Sequence, residues 1–212
     1  MDFTPVSRSF PLTLASASPR RRRLLDQVGI PHIVLPSETP EEAGEASPAE
    51  ASALLACRKA AEAWNLMPQK WTLGADTMVV MDGEILGKPS GPEDARSMLQ
   101  LLSGREHRVI TGFGLLDPSG RVAHTEAVET LVRIRPLSPN EMEGYIHTGE
   151  PFGKAGSYAI QGVGAFMVEG ITGSYTNVVG LPLCALLRAM LAKGALQRFP
   201  LESSTASSPR IG

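Results

Sequence analysis

Cysteine is nearly absent: the 212 residues hold only Cys57 and Cys184. The two are far apart and fit no metal or redox spacing. Both fall in apolar helical patterns and are expected to be buried thiols in a reducing compartment. Long apolar runs are missing too. None approaches the roughly 18 to 20 residues of a membrane span, and the opening MDFTPVSRSF has no apolar core of a secretory signal. The expectation is a soluble, cytoplasmic protein. No excess of positive charge exists either. The net charge is −2, unlike proteins built to coat nucleic acid, whose domains are distinctly basic. There is no G-x-x-x-x-G-K-[ST] phosphate loop, and Gly162-Val163-Gly164 lacks the further glycine of a dinucleotide fingerprint. None of the 4 histidines falls in a ligand or triad spacing. Lysine is scarce, 5 against 15 arginines, a bias that suits forked recognition of phosphate or carboxylate.

The most informative stretch that is present is Leu12 to Leu25, LTLASASPRRRRLL. Leu12 to Leu14 reads as the end of a buried strand, Ser18 as an N-cap and Pro19 as the first helical residue. A helix N-terminus carries partial positive charge, so cations there are unfavourable. Arg20 and Arg21 make sense if an anion binds at that point. Arg22 and Arg23 read as a solvated basic turn, and no aromatics interleave the cluster for base stacking, which argues against stable nucleic-acid binding.

The remaining pattern mixes helices and strands. A second strand is expected at Ile33 to Leu35, followed by the acidic loop SETPEEAGEAS. Ser47-Pro48-Ala49-Glu50 is a capping box opening an alanine-rich helix to about Trp64. Trp71 to Leu73 reads as a strand ending at Gly74-Ala75-Asp76-Thr77. Met78 to Met81 and Glu84 to Leu86 form a hairpin around Asp82-Gly83. A helix over Pro92 to Leu102 precedes two longer strands, His107 to Leu116 and Val122 to Ile134. Ser138-Pro139-Asn140-Glu141 caps another helix, ended by Gly149. Gly153 to Gly180 reads as short strands and tight turns, and a helix from Pro182 to Ala192 closes the fold. The order predicts an α/β protein with a mixed sheet. Residues 1–11 are read as an N-terminal extension, 12–199 as a single domain and 200–212 as a disordered tail.

Taken singly, the candidate chemical residues are weak signals. Asp76 follows a strand and a glycine, where carboxylates often face a ligand crevice, but an aspartate in such a turn is more often structural, bonding nearby amides. Lys59 and Lys88 read alone as surface lysines, and Glu38, Glu41 and Glu42 as an acidic loop. Together they are the parts needed to bind a polyphosphate with a divalent ion.

Several motifs occur in one order: Leu14-Ala15-Ser16-Ala17-Ser18-Pro19-Arg20-Arg21, Gly74-Ala75-Asp76-Thr77 with Asp82-Gly83-Glu84, and Gly87-Lys88-Pro89. After them come Leu102-Ser103-Gly104-Arg105, Lys154 through Gly162 (KAGSYAIQG), and Val179-Gly180-Leu181-Pro182. In these the chain resembles the Maf family of nucleoside triphosphate pyrophosphatases, over roughly residues 12 to 192. The resemblance implies an elongated mixed sheet flanked by helices, Maf/ITPase-like, with the active site in a cleft, and a homodimer. It implies cleavage of a nucleoside triphosphate between the α- and β-phosphates. Asp76 would be the general base or a metal ligand. Ser16, Ser18, Arg20, Arg21, Lys59 and Lys88 would bind the substrate. Glu41, with Glu38 or Glu42 as alternatives, would help hold magnesium or manganese. Arg20, Thr77 and Gln161 look like the trio of the branch acting on dTTP and UTP. Alternatives are another base, such as 7-methyl-GTP, or a non-enzymatic regulator of septum formation.

Overall fold

The computed structural model of the chain describes residues 3–39 and 46–201. Seven strands form one mixed sheet: β1 (Leu12–Ala15), β2 (His32–Val34), β3 (Thr72–Met81), β4 (Glu84–Leu86), β5 (Glu106–Leu116), β6 (Val122–Ile134) and β7 (Val168–Thr172). The spatial order is β2-β1-β3-β5-β6-β7, with β4 also on β3. The β2, β1 and β3 strands run parallel; β3, β5, β6 and β7 are antiparallel neighbours. Strands β5 and β6 carry 11 and 13 residues, so at ~3.3 Å per residue this part of the sheet is roughly 40 Å long.

Among the described residues six helices flank the sheet: α1 (Pro19–Gln27), α2 (Pro48–Leu66), α3 (Pro92–Leu102), α4 (Pro139–His147), α5 (Tyr175–Val179) and α6 (Leu183–Ala192). Both expected capping boxes form, Ser47 with Glu50 and Ser138 with Glu141. Strand alternation then sorts β3 into two faces. Leu73 and Ala75 pack with α1 and α6 residues such as Leu25 and Leu186, and Val79 and Met81 pack with Leu99 of α3 and Ile146 of α4. Met78 and Val80 face the other way, onto Ala51 and Leu55 of α2. Residues ahead of β1 join the first of these cores: Trp71 donates its indole N–H to the Thr4 carbonyl at 3.1 Å, and Val6 is buried. No helix among the described residues is long and apolar enough to cross a membrane.

Three expectations need correction. The stretch from Thr72 to Met81 is one strand rather than a strand, a turn and a second strand. Its antiparallel partner β5 pairs with it from Thr72 to Val80 and holds the ladder through Asp76. On the opposite edge, β1 stops at Gly74 and β4 starts at Val79. Residues Ala75 to Met78 therefore have no strand beside them on that edge, and the cleft opens there. The glycine-rich stretch is the second. Only β7 is a strand in it; two 3-10 segments, Ala155–Ser157 and Val163–Met167, and the short helix α5 make up the ordered remainder. Cys184 is also exposed rather than buried, and Cys57 is half-buried.

Candidate active site

Glycine lets Lys59 of α2 come close to Asp76 of β3. Gly74 of β3 lies opposite Gly114 of β5, and Asp76 lies opposite Gly112. A Cβ on Gly74 would stand 2.0 Å from the Ala56 carbonyl oxygen, and one on Gly112 would stand 2.3 Å from the Ser52 carbonyl carbon. The α2 residues pressed onto this patch are small: Ser52, Ala53, Ala56, Cys57 and Ala60. The helix backbone approaches the strands closely, and Lys59 reaches Asp76 with Nζ 2.6 Å from Oδ1. Both side chains are about nine-tenths buried.

On the other face Thr77 begins a chain of hydrogen bonds. Arg21 donates from one terminal nitrogen to Thr77 Oγ1 at 3.0 Å, from the other to Ser16 Oγ at 3.0 Å, and from Nε to the Gly180 carbonyl at 2.7 Å. Thr77 and Thr111 hydroxyls lie 2.9 Å apart, and Thr111 donates to the Asn177 carbonyl at 3.0 Å. Ser18 caps α1, its Oγ accepting from the Arg21 amide, and its own amide donates to Ser16 Oγ. Arg21 thereby ties α1, β3 and the end of α5 into one unit.

A cleft of about 580 Å³ runs through the gap in the sheet edge, within the usual size range for small-molecule sites. Ser16, Ser18, Arg20, Arg21, Lys59, Asp76, Thr77, Lys88 and Gln161 all line it. Glu41 and Glu42 lie outside the described residues, and Glu38 is exposed on the loop that leads to them. That loop is anchored by Glu62 of α2, which accepts from Ser37 at 2.6 Å, from the Glu38 amide at 3.1 Å and from Thr39. These bonds hold the Glu62 carboxyl down at about 2.

Sequence reasoning missed Lys154, a further cation on the cleft wall, although it opens one of the quoted motifs. Burial, then neighbouring Arg20, pulls the Lys154 ammonium below its usual value. Burial likewise lowers Arg20, partly offset by Tyr145 and Glu150. Arg20, Arg21, Lys59, Lys88 and Lys154 thus share the cleft wall with one described carboxylate, Asp76, and burial strips water from at least Arg20 and Lys154. That is the charge pattern of a polyanion site, since desolvated cations gain most from a bound anion.

Among the described residues no three acidic, histidine or cysteine side chains gather into a protein-only metal cage. Asp76 is the single carboxylate among the described residues lining the cleft. One carboxylate with substrate oxygens and water is the usual way magnesium is held, so the donor set fits a hard divalent ion arriving with a polyphosphate.

Comparisons with known proteins agree with this chemistry. The dTTP/UTP pyrophosphatase of Syntrophotalea carbinolica is 50% identical over 198 residues, covering 92% of this chain and 90% of that one. The dTTP/UTP pyrophosphatase of Symbiobacterium thermophilum is 51% identical over 174 residues, covering 81% and 88%. A nucleoside-triphosphatase / dITP/XTP pyrophosphatase structure from Mycobacterium abscessus superposes at a TM-score of 0.41 with 14% identity, over 66% of this chain and 95% of that one, too loosely to bear on the site. A model of the Maf-like protein family matches residues 11–193, and the chain belongs to that family.

Proposed function

We propose that the protein hydrolyses dTTP and UTP to the nucleoside monophosphate and pyrophosphate. The observation that carries the reading is the buried Lys59–Asp76 pair facing a cleft whose other charges among the described residues are Arg20, Arg21, Lys88 and Lys154. Relatives about half identical over most of their length are dTTP/UTP pyrophosphatases.

Phosphoryl transfer needs positioning and charge neutralisation more than covalent chemistry. In this reading Arg20, Lys88 and Lys154 hold the phosphate oxygens, with Ser16 and Ser18 at the start of α1. Asp76 accepts a proton from the water that attacks the α-phosphorus, and Lys59 fixes that carboxylate in place. A divalent ion, magnesium or manganese, would be held by Asp76 and the phosphates, with Glu41 as a further ligand; it would offset the charge on the leaving pyrophosphate. Arg21 and Thr77 act from behind. Their hydrogen-bonding groups are engaged with Ser16, Gly180 and Thr111, so we assign them to shaping the wall. Gln161 offers both a donor and an acceptor and is assigned to the O4 and N3–H edge of the pyrimidine. The proposal extends to a homodimer in the cytoplasm, a location that two unpaired thiols suit.

The test is a panel of triphosphates, dTTP, UTP, CTP, dATP, GTP and 7-methyl-GTP, each with magnesium and with manganese. Product is identified by chromatography. Monophosphate plus pyrophosphate, fastest from dTTP and UTP, is the expected result. Diphosphate plus phosphate, or a preference for 7-methyl-GTP, overturns the reading.

A further inference from the structure

Glu150 lies behind the cleft wall, between α4 and the 3-10 segment that begins at Val163. Its carboxylate accepts from the Gly164 amide at 2.8 Å, the Val163 amide at 3.0 Å and the Tyr145 hydroxyl at 3.0 Å. Tyr145 in turn accepts from the Ala159 amide at 3.2 Å. Gln161 therefore sits on a six-residue stretch fastened at both ends to one carboxylate and its phenol partner. The fit is close: Gly162 has φ +77°, and a Cβ there would stand 2.3 Å from Glu150 Oε2. Lys154 donates from Nζ to the Glu150 carbonyl, and Glu150 is a charge neighbour of Arg20.

An anion is the chemistry this spot needs. Two successive amides at the start of a helical segment present partial positive charge. Burial alone would raise the Glu150 carboxyl, but the Gly164 and Val163 amides, Tyr145 and Lys154 together hold it below the usual carboxylate range. A neutral glutamine keeps the shape but offers one acceptor oxygen, and its NH₂ would face an amide N–H.

We propose that Glu150 is a positioning residue for base selection: by pinning the Ala159–Gly164 turn it fixes where Gln161 meets the nucleotide base. The inference rests on the proposed pyrimidine triphosphate site. Glu150 does not itself line the cleft and acts through Gln161.

The experiment compares Glu150→Gln and Tyr145→Phe with the unaltered chain, with urea unfolding as the check on folding. For Glu150→Gln, kcat/KM for UTP falls roughly tenfold, mostly through KM, the size of one lost charge-assisted hydrogen bond. The UTP:CTP ratio of kcat/KM falls with it, and the Val163 and Gly164 amides exchange their hydrogens faster. Tyr145→Phe moves each readout the same way by less, and adding it to Glu150→Gln costs little more, as members of one network do. A uniform loss on all triphosphates with the ratio intact, or unchanged amide exchange, overturns the proposal. Should the unaltered chain cleave no pyrimidine triphosphate, the substrate reading falls on that result alone. The base ratio measured between the triphosphates it does cleave then decides the role of Glu150.

Discussion

Lys59 Nζ on α2 and Asp76 Oδ1 on β3 stand 2.6 Å apart, with both side chains about one-tenth exposed. Taking two charges out of water is costly, and their attraction repays it only while both remain. Removing one partner takes away a charge that the other, still buried, was placed to meet. We expect Lys59→Met to lower stability by about 3 kcal/mol in urea unfolding, near the low end of what breaking buried pairs costs. Asp76→Asn destabilises as well, by removing the charge that the buried ammonium faces at 2.6 Å. The double variant recovers most of the lost stability, because the charge imbalance is gone. None of the three releases pyrophosphate at more than about 1% of the parent rate, the scale on which a general base contributes. A stable, active Lys59→Met would show that the pair does not hold the site.

The same pair depends on the glycine patch below it. A methyl group at Gly74 would lie 2.0 Å from the Ala56 carbonyl oxygen and 2.8 Å from the Ala60 amide nitrogen. Both are backbone atoms, so the whole helix must lift rather than one side chain turn aside. Overpacking of this kind costs about 1–3 kcal/mol. Gly74→Ala is expected to cost that much stability and to lower kcat as Lys59 is carried away from Asp76. Gly87→Ala is the control, since a Cβ there meets nothing within 4 Å. Thermal unfolding and pyrophosphate release on both variants check the prediction. Equal behaviour of the two would mean that the patch is not needed for close approach.

How far this arrangement can be read along the chain depends on the range of the interactions. Local signals are plain: Ser47 with Glu50, Ser138 with Glu141, Pro19 behind Ser18, and Asp82-Gly83, whose φ values of +52° and +90° suit a two-residue hairpin. Each is settled by atoms within four residues. Asp76 looks like a turn residue because Gly74 breaks the strand pattern, yet that glycine is there for α2 and not for a bend. Only the pairing with Gly112 and Gly114, almost forty residues on, makes its purpose visible. Glu150 was silent for the same reason. Its partners are the amides of Val163 and Gly164, and a backbone N–H has no signature in composition or period. Lys154 was hidden differently: it stands in a recognised motif, but a lone lysine beside a glycine turn reads as solvated until Arg20 is placed next to it.

His107 supplies a prediction on pH. It is 2% exposed on β5, with Nε2 2.7 Å from the Tyr158 hydroxyl, and its Nδ1 is buried without a partner. Whichever ring nitrogen carries the proton of the neutral form, a second proton adds charge to the apolar core. Burial therefore lowers its pKa from 6.5 to about 4. The sign follows from linkage: between these values the unfolded chain binds a proton that the folded chain refuses, so stability rises with pH across the window. Acidifying from pH 6.5 to 4 should remove up to roughly 3 kcal/mol, at 1.36 kcal/mol per unit. Glu62 and Glu141, both held at about 2, lose their contributions only below about pH 4.5, their unfolded range. The interval from pH 6.5 to 4.5 thus isolates the histidine. Urea unfolding at those two pH values should show the loss in the unaltered chain and a flatter response in His107→Gln, which keeps a hydrogen bond to Tyr158 but cannot titrate. Identical pH responses in the two chains would mean that His107 is neutral at no cost to folding, and that the acid sensitivity arises elsewhere.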